Sequence, residues 1–263
     1  MDTFLAIPAA LCLALALGGC GGNSGGGSDS AAPSTTQSAV AQGAWSGTNS
    51  LGNAFDMLLL ENGELYQVFG SSSNGVFTPL GLDWGRYSVS GNTLGAAITQ
   101  YNSNGTRVTG TLTATVVSGT SISGSAGSNA NNSSVSFSAR PSALTHPGYD
   151  YNAAAALGDI AGAWTGGVVL GQSTAFAISI DPATGALASS NLGCSFSGSI
   201  TPRSTRKNVF DVSLTMGQAP CANAGQAYTG VAISYAASTG QRQLIATLQS
   251  PDKTLGTVLY ALR

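Results

Sequence analysis

The sequence predicts an all-β fold of two tandem antiparallel barrels, each a meander of eight strands, joined by a short helix. Three observations support this prediction. Apolar and polar residues alternate with a period of two along most of the chain, as in strands with one buried and one exposed face. Turn-forming residues divide each half into about eight such strands. The phrase Gly-Ala-Trp occurs twice, at 43–45 and at 162–164.

The strands follow from the alternation and from the turns that interrupt it. In 107–117 and 134–140, apolar or small residues alternate with Thr and Ser, which suit exposed strand positions. The strands predicted in the first half are 44–50, 54–61, 64–71, 82–90, 94–101, 107–117, 120–126 and 134–140. Those predicted in the second half are 163–170, 174–181, 186–192, 194–201, 208–216, 227–236, 242–249 and 256–262. Short links imply antiparallel neighbours, and eight strands can close into a barrel that has no exposed edge.

The order of these segments predicts five regions. They are a signal peptide at 1–19, a flexible tether at 20–42, a first barrel at 43–145, a linker at 146–160 and a second barrel at 161–263. The tether is rich in Gly, Ser, Thr and Gln, and the linker carries an Ala-rich run at 151–157 that predicts one or two helical turns ending at Gly158. Landmarks recur at similar offsets in both halves, which indicates a diverged duplication. They are Trp45 and Trp164, Gly110 and Gly230, and Arg140 and Arg263.

Composition limits the classes of partner. Charged residues make up 8% of the 263 residues, the net charge is −2, and 36 residues are glycine. Such a chain stays soluble through hydroxyl and amide groups, as many exported β proteins do. It has no basic patch that could hold a phosphate backbone, so nucleic acid is not an expected partner.

The cysteines predict export and one disulfide. Cys12 lies in the predicted signal peptide, which leaves Cys20, Cys194 and Cys221 in the mature chain. In an oxidising compartment Cys194 and Cys221 are expected to form a disulfide. A metal site is the competing interpretation, but the single histidine, His146, lies beside Pro147 in the linker, far in sequence from both cysteines. No metal or other cofactor is predicted.

The N-terminal segment resembles that of bacterial lipoproteins. An apolar run at 4–17 ends in Leu17, Gly18, Gly19 and Cys20, which resembles a lipobox. The resemblance implies cleavage before Cys20 and acylation of that residue, which would anchor the protein to a membrane. Gly21 stands where an Asp would retain a lipoprotein in the inner membrane, so the resemblance favours the outer membrane. Residues 2–4 carry no Lys or Arg, unlike the start of an ordinary signal peptide. The alternative is a membrane-spanning helix, although the apolar run is shorter than the roughly 20 residues that such a helix needs.

The Trp and Arg landmarks resemble those of the lipocalin and wider calycin superfamily. There, a Gly-x-Trp on the first strand is covered by an Arg from the last strand at the closed end of the barrel. The resemblance implies two structural pairs, Trp45 with Arg140 and Trp164 with Arg263. The alternative is that both Trp residues pack in a β core and both Arg residues lie on the surface.

No catalytic constellation is evident, and no enzyme is predicted. His146 is interpreted as a loop residue, and Glu61 and Glu64 flank a solvated turn. Asp83, next to Trp84, is interpreted as part of a polar loop cluster. The basic run at 203–207 is interpreted as an exposed turn.

Three functions remain open at this stage, in order of preference. The first is a lipid-anchored module that binds a protein or other envelope partner through strand-end loops at 71–78, 102–106, 128–133 and 203–208. In plan, such a molecule resembles transferrin-binding and complement-regulator-binding lipoproteins. The second is a carrier of a small apolar ligand, which a cavity of roughly 300 Å³ or more inside a barrel would favour. The third is a sixteen-strand channel, which the Ser- and Thr-rich faces and the 7% of aromatic residues disfavour.

Overall fold

The structure, a computed structural model, describes residues 38–169, 173–190, 194–221 and 223–263. It contains two closed eight-stranded antiparallel barrels, as the sequence predicts. Barrel 1 consists of Gly43–Asn49 (β1), Ala54–Leu59 (β2), Glu64–Ser73 (β3), Val76–Ser90 (β4), Thr93–Asn102 (β5), Arg107–Val117 (β6), Ser121–Ser128 (β7) and Ser134–Pro141 (β8). Barrel 2 consists of Gly162–Val169 (β9), Ser173–Ile180 (β10), Ala186–Ser190 (β11), Phe196–Pro202 (β12), Phe210–Met216 (β13), Ala227–Ala236 (β14), Arg242–Gln249 (β15) and Gly256–Leu262 (β16).

Each barrel closes by pairing its first strand with its last. Trp45 of β1 lies opposite Pro141 of β8, and Val168 of β9 lies opposite Leu259 of β16. Gly47 and Gly166, two residues after each Trp, let these strands approach closely. A Cβ at Gly47 would lie 1.9 Å from a carbonyl oxygen of β8, and a Cβ at Gly166 equally close to one of β16. The repeated Trp-x-Gly phrase therefore marks the point where each barrel closes.

One end of each barrel is closed by its tryptophan. The Trp45 indole N–H donates to the carbonyl of Ala41 at 2.9 Å, and that of Trp164 donates to the carbonyl of Ile160 at 2.7 Å. The segments before the first strands pack beneath these rings. Ala41, inside the predicted tether, is 2% exposed, and Ile160 is fully buried. We call this the closed end of each barrel.

The hairpin of β3 and β4 is longer than predicted. β4 begins at Val76 rather than near residue 82, and the pairing with β3 runs to Ser73 past an irregularity at Phe69 and Gly70. Phe77, at the start of β4, is buried in a cluster shared with barrel 2, so the end of the hairpin packs against that barrel.

The predicted helix at 151–157 is not formed. The joining segment instead has two 3₁₀ turns, Ser142–Leu144 and Leu157–Asp159. Its backbone is engaged by the turn between β12 and β13, because the Asn208 N–H donates to the carbonyl of Tyr151 and the Ala155 N–H donates to that of Lys207. A helical alanine run would need those groups for itself, and tertiary contacts override its propensity.

The barrels pack side by side through apolar outer faces. β2, β3 and β4 of barrel 1 face β14, β15 and β16 of barrel 2 in one buried cluster. Its members include Leu58, Leu60, Tyr66, Val68, Leu82, Val231, Ile233, Ile245 and Val258. These strands are buried on both faces, so β15 is buried at seven successive positions and loses the period-two alternation of the other strands.

Candidate functional site

Barrel 1 contains a cavity at the end opposite Trp45. The turns at 50–53, 74–75, 103–106 and 129–133 form this end, which we call the mouth. The cavity has a volume of about 310 Å³. Its lining comes from seven strands and adjoining turns, and includes Asn49, Asn53, Gln67, Phe69, Asp83, Ile98, Gln100, Asn102, Val108, Gly110, Ala126, Ser128, Ser133, Val135 and Phe137.

Three polar side chains lie side by side in the wall of this cavity. Gln67, Asp83 and Gln100 occupy paired positions on β3, β4 and β5. Asp83 is 4% exposed and Gln67 is 8% exposed. The Gln67 Nε2 group donates to Asp83 Oδ2 at 3.1 Å, whereas Asp83 Oδ1 and Gln67 Oε1 have no hydrogen-bond partner in the structure. Two acceptors therefore lie buried in the wall without donors, which is costly unless a ligand or water satisfies them.

Burial controls the charge of Asp83. Loss of solvent raises the pKa of this carboxyl to about 7, and a contact with the Gln100 side chain offsets part of the rise. Among the described residues that line the cavity, Asp83 is the only ionisable one. The site is therefore poised between a neutral and an anionic form near neutral pH, and it has no basic group to balance the anion.

The other lining residues are apolar around the three polar side chains and polar at the mouth. Apolar side chains form the wall around the polar group, and these are Phe69, Ile98, Val108, Val135 and Phe137. Phe137 packs edge-on against Phe55, with ring centroids 5.8 Å apart, which holds one wall in place. Small amides and hydroxyls from Asn49, Asn102 and Ser133 surround the mouth.

Barrel 2 fills the equivalent space. Counting paired positions outward from Trp45 and Trp164 places Ser189, Phe196 and Met216 where barrel 1 has Gln67, Asp83 and Gln100. By the same count, Tyr228 occupies the position equivalent to Gly110, and Leu248 occupies the position equivalent to Ala126. Tyr228 and Leu248 are fully buried in the barrel 2 core. The recurring Gly110 and Gly230 are therefore not equivalent in register, although the sequence suggests that they are.

The disulfide joins two turns at this end of barrel 2. Cys194 and Cys221 are bonded, at a sequence separation of 27, which confirms the predicted pair. Phe196 lies opposite Met216, so a regular continuation of this ladder would place Cys194 opposite Gln218 and not opposite Cys221. The stretch from Gly217 to Cys221 leaves that ladder, since β13 ends at Met216.

The two predicted Trp–Arg pairs have different outcomes. The Arg263 guanidinium carbon lies 4.6 Å from the centroid of the Trp164 ring, and this side chain also donates to the carbonyls of Asp159 and Ala161. Arg140 does not cover Trp45. It pairs with Ser46, one position out of phase with Trp45, and its side chain is exposed. Since a shift of one residue turns a side chain to the other face, the position that faces Trp45 belongs to Pro141.

His146 is buried between the barrels rather than exposed in a linker. Its Nε2 lies 2.8 Å from Asp56 Oδ1, and its ring stacks on Tyr235 of β14 with centroids 3.6 Å apart. Ser46 donates to the same Asp56 oxygen at 2.6 Å, and Tyr235 donates to Asp56 Oδ2. The serine contacts the carboxylate and not the imidazole, so the arrangement lacks the serine–histidine contact of a nucleophilic triad. The hydrogen bonds and ring stacking around Asp56 and His146 instead join β1, β2 and the linker to barrel 2.

Other polar contacts strengthen the same interface. The Gln243 side chain accepts from the Phe77 N–H at 2.7 Å and donates to the Phe77 carbonyl at 2.6 Å, as a strand neighbour would. Arg203, predicted to lie in an exposed binding turn, contacts Glu61 at 2.7 Å and Asp211 at 2.5 Å. The turn at 203–208 is thus part of the interface. The predicted loops at 102–106 and 128–133 lie at the mouth, whereas most of 71–78 belongs to the β3–β4 hairpin.

The sequence analysis does not predict Gln67, Asp83 and Gln100 as site residues. The sequence interpretation places Asp83 in a polar loop cluster next to Trp84, although it lies in the predicted strand 82–90; in the structure its side chain lines the lumen of barrel 1. Gln67, Asp83 and Gln100 lie in phase with inward apolar neighbours such as Leu65 and Ile98. Extending the alternation through polar residues could have revealed them.

Cys20 lies outside the described residues. Within the part of the chain that the structure describes, no group of three His, Cys, Asp or Glu residues could hold a metal ion. No helix in that part is long and apolar enough to cross a membrane.

Comparison with solved structures finds distant likenesses. A protein from Bacteroides fragilis described as a candidate outer membrane protein is 10% identical over 84% of this chain and 94% of its own, with a TM-score of 0.25. Two mutants of the vaccine antigen transferrin-binding protein B from Haemophilus parasuis match 80% of this chain, at 7% and 10% identity with TM-scores of 0.27 and 0.25. This chain spans 60% and 53% of those two structures. At these scores the likenesses carry no argument, and the architecture rests on the strand pairing.

No protein-family model and no curated protein sequence matches the chain.

Proposed function

We propose that this protein is a non-catalytic binding protein of the bacterial outer membrane, anchored through a lipid on Cys20, that takes a small molecule into the mouth of barrel 1. The observation that carries the proposal is the cavity of about 310 Å³ with two buried acceptors that lack donors. Its volume lies at the lower end of the range for small-molecule sites, roughly 300–1,000 Å³. The ranking drawn from sequence, which placed a macromolecular partner first, is therefore reversed here.

The ligand differs in polarity from the apolar one considered from sequence. Phe69 and Phe137 suit an apolar body, but Asp83 and Gln67 in the same wall require hydrogen-bond donors. We assign binding rather than catalysis because the described lining holds no second ionisable residue that could act as an acid or base beside Asp83.

The test is to identify what the cavity holds. The full chain, purified in detergent from the envelope, is extracted for small molecules and analysed by mass spectrometry. A double variant, Gln100→Met with Ala126→Leu, places the barrel 2 residues in the mouth and should abolish recovery of the molecule. Ser125→Leu, on the exposed face of the same strand as Ala126, is the matched control and should retain it. Equal recovery from all three proteins, or no recovery from any, would contradict the proposal.

The lipid anchor has its own test. Mass spectrometry of the N-terminal peptide should find Cys20 as the acylated first residue of the mature chain. An unmodified Cys20 or a different N-terminus would remove the anchor from the proposal and leave the cavity unaffected.

A second candidate, a protein partner at the rim of the mouth, is supported by exposed apolar side chains. Leu51 is 70% exposed in the turn between β1 and β2, and Leu80 is 45% exposed close to the turn between β5 and β6. Crosslinking in envelopes should capture a partner that Leu51→Ser and Leu80→Ser release. A partner that both variants retain would contradict this candidate.

A further inference from the structure

We propose that the cavity of barrel 1 selects a small organic cation, a protonated amine with an apolar body, whose N–H groups donate to Asp83 Oδ1 and Gln67 Oε1. This inference rests on the proposed small-molecule function and adds the chemical class of the ligand. It depends on the hydrogen bonds, the charge and the shape of the wall.

The hydrogen bonds in the wall require a donor. Gln67 Nε2 already donates to Asp83 Oδ2, so the two free atoms, Asp83 Oδ1 and Gln67 Oε1, are both acceptors when the carboxyl is ionised. They belong to side chains that are 4% and 8% exposed. A ligand that brought only acceptors would leave both of them unsatisfied. An ammonium group brings up to three donors.

The charge of the wall favours a cation over a neutral donor. The described lining contains a carboxyl and no Lys, Arg or His. A hydroxyl could satisfy the acceptors but would leave the buried anion uncompensated, whereas a cation provides a charge-assisted hydrogen bond. An anionic ligand would be repelled by the same carboxylate.

The shape of the cavity accommodates an apolar body next to that charge. Phe69 and Phe137 present aromatic rings, and Ile98, Val108 and Val135 complete the apolar wall. Aromatic faces attract cations as well as apolar groups. The mouth is lined by amides and hydroxyls, which form no ion pair that a cation would have to break to enter.

Binding of a cation should depend on pH through Asp83. The groups that face it are Gln67 from β3 and Gln100 from β5, with Asn49 and Asn102 nearer the mouth, and none of these ionises. A cation stabilises the ionised form of Asp83. Because burial favours the protonated form of this carboxyl, binding of a cation must displace its proton. The affinity for an amine that stays protonated should therefore fall as the pH is lowered from 8 to 5.

The experiment compares three probes of one shape and different charge. Benzylamine, benzyl alcohol and benzoate are titrated into the full chain in detergent, and binding is followed by saturation-transfer NMR. Benzylamine should bind most tightly. Benzyl alcohol should bind roughly 10-fold more weakly, or less tightly still, because the extra strength of a hydrogen bond between charged groups corresponds to about that change in affinity. Benzoate should not compete.

Two isosteric variants and one control locate the selectivity. Asp83→Asn removes the charge and should weaken benzylamine roughly 10- to 100-fold while leaving benzyl alcohol within a few-fold. Gln67→Met removes the second acceptor and should give a smaller loss. Asp159→Asn makes the same charge change at an exposed position in the segment that joins the barrels and should leave the binding of all three probes unchanged.

The outcomes separate the inference from the function on which it rests. If benzyl alcohol or benzoate binds in the cavity as tightly as benzylamine, or if Asp83→Asn leaves benzylamine binding intact, the cation inference is overturned and a small-molecule site remains. If no probe binds and extraction also yields no small molecule, both proposals are overturned. Loss of benzylamine selectivity in Asp83→Asn with normal folding supports the inference.

Discussion

Barrel 1 and barrel 2 close on the same device, a tryptophan that donates to the carbonyl four residues earlier, but they differ in the opposite half of the lumen. There, barrel 2 has Phe196, Met216 and Tyr228 and a disulfide across its turns. Barrel 1 has a cavity at those positions. The comparison suggests that the closed end maintains the fold in both copies, so that the other end was free to diverge into a filled core or a binding site.

The strongest test of this comparison removes the side chain that fills barrel 2. Tyr228→Ala deletes a fully buried ring and should lower the free energy of unfolding by about 3–5 kcal/mol, because a cavity replaces packed atoms. Ala126→Leu in barrel 1 adds a side chain to existing space and should change it by less than about 1.5 kcal/mol. Urea unfolding of both variants measures the difference. Similar losses from the two would mean that the lumens are equally packed.

The next test concerns the disulfide of barrel 2. Replacing Cys194 and Cys221 together with Ala removes a bond that closes a loop with a sequence separation of 27. The expected loss is about 3 kcal/mol, since the unfolded chain regains the entropy of that loop. Guanidinium unfolding of the wild type, with and without reductant, is the control. An unchanged midpoint would show that the packed core alone holds barrel 2.

A third test uses the pH dependence of barrel 1. Because the folded state raises the pKa of Asp83 to about 7, it binds the proton more tightly than the unfolded chain does. The contribution of Asp83 to stability is therefore complete below about pH 4 and is lost as the pH rises through 7. Relative to the wild type, Asp83→Asn should gain stability by up to about 1.4 kcal/mol per pH unit in that window.

Unfolding at pH 4, 5.5, 7 and 8 checks this slope, with Asp159→Asn as the control. Parallel curves for wild type and Asp83→Asn would mean that the carboxyl is solvated in the folded state. The charge assigned to the cavity near neutral pH would then be wrong.

The smallest effect expected separates the two closed ends. Arg263→Ala removes a guanidinium over Trp164 together with its two backbone contacts and should cost roughly 0.5–2 kcal/mol. Arg140→Ala removes an exposed side chain with no such contact and should stay within about 0.5 kcal/mol. Thermal unfolding of the two variants compares them directly. An equal loss would restore the symmetry that the sequence predicts.

The strands were accessible from sequence because one face of most of them is buried and the other is wet. In β6, Leu112 and Ala114 alternate with Thr residues, and the observed bounds equal the predicted ones. The disulfide followed from counting cysteines. The Arg140 prediction failed by one residue, because an offset between repeats does not give the register that decides which face a side chain occupies.

The cavity and the interface depended on contacts between residues far apart in sequence. The predicted strand 82–90 contains Asp83, but its polar side chain was interpreted as part of a surface cluster because inward positions are expected to be apolar. His146 precedes Pro147 in the linker, and nothing nearby in the sequence indicates Asp56 and Tyr235 as its neighbours. The cavity itself arises where Gly110 and Ala126 leave space that larger residues occupy in barrel 2.

The apolar interface also bears on the order in which the molecule is made. A chain that emerges from its N-terminus has all eight strands of barrel 1 by Pro141, before any residue of β14 exists to cover Leu58, Tyr66 and Val68. For the interval in which residues 142–262 are still being synthesised or exported, the first barrel presents an uncovered apolar strip to its surroundings. Such a strip is a site for premature association, so the period before barrel 2 closes is when the nascent protein most needs protection.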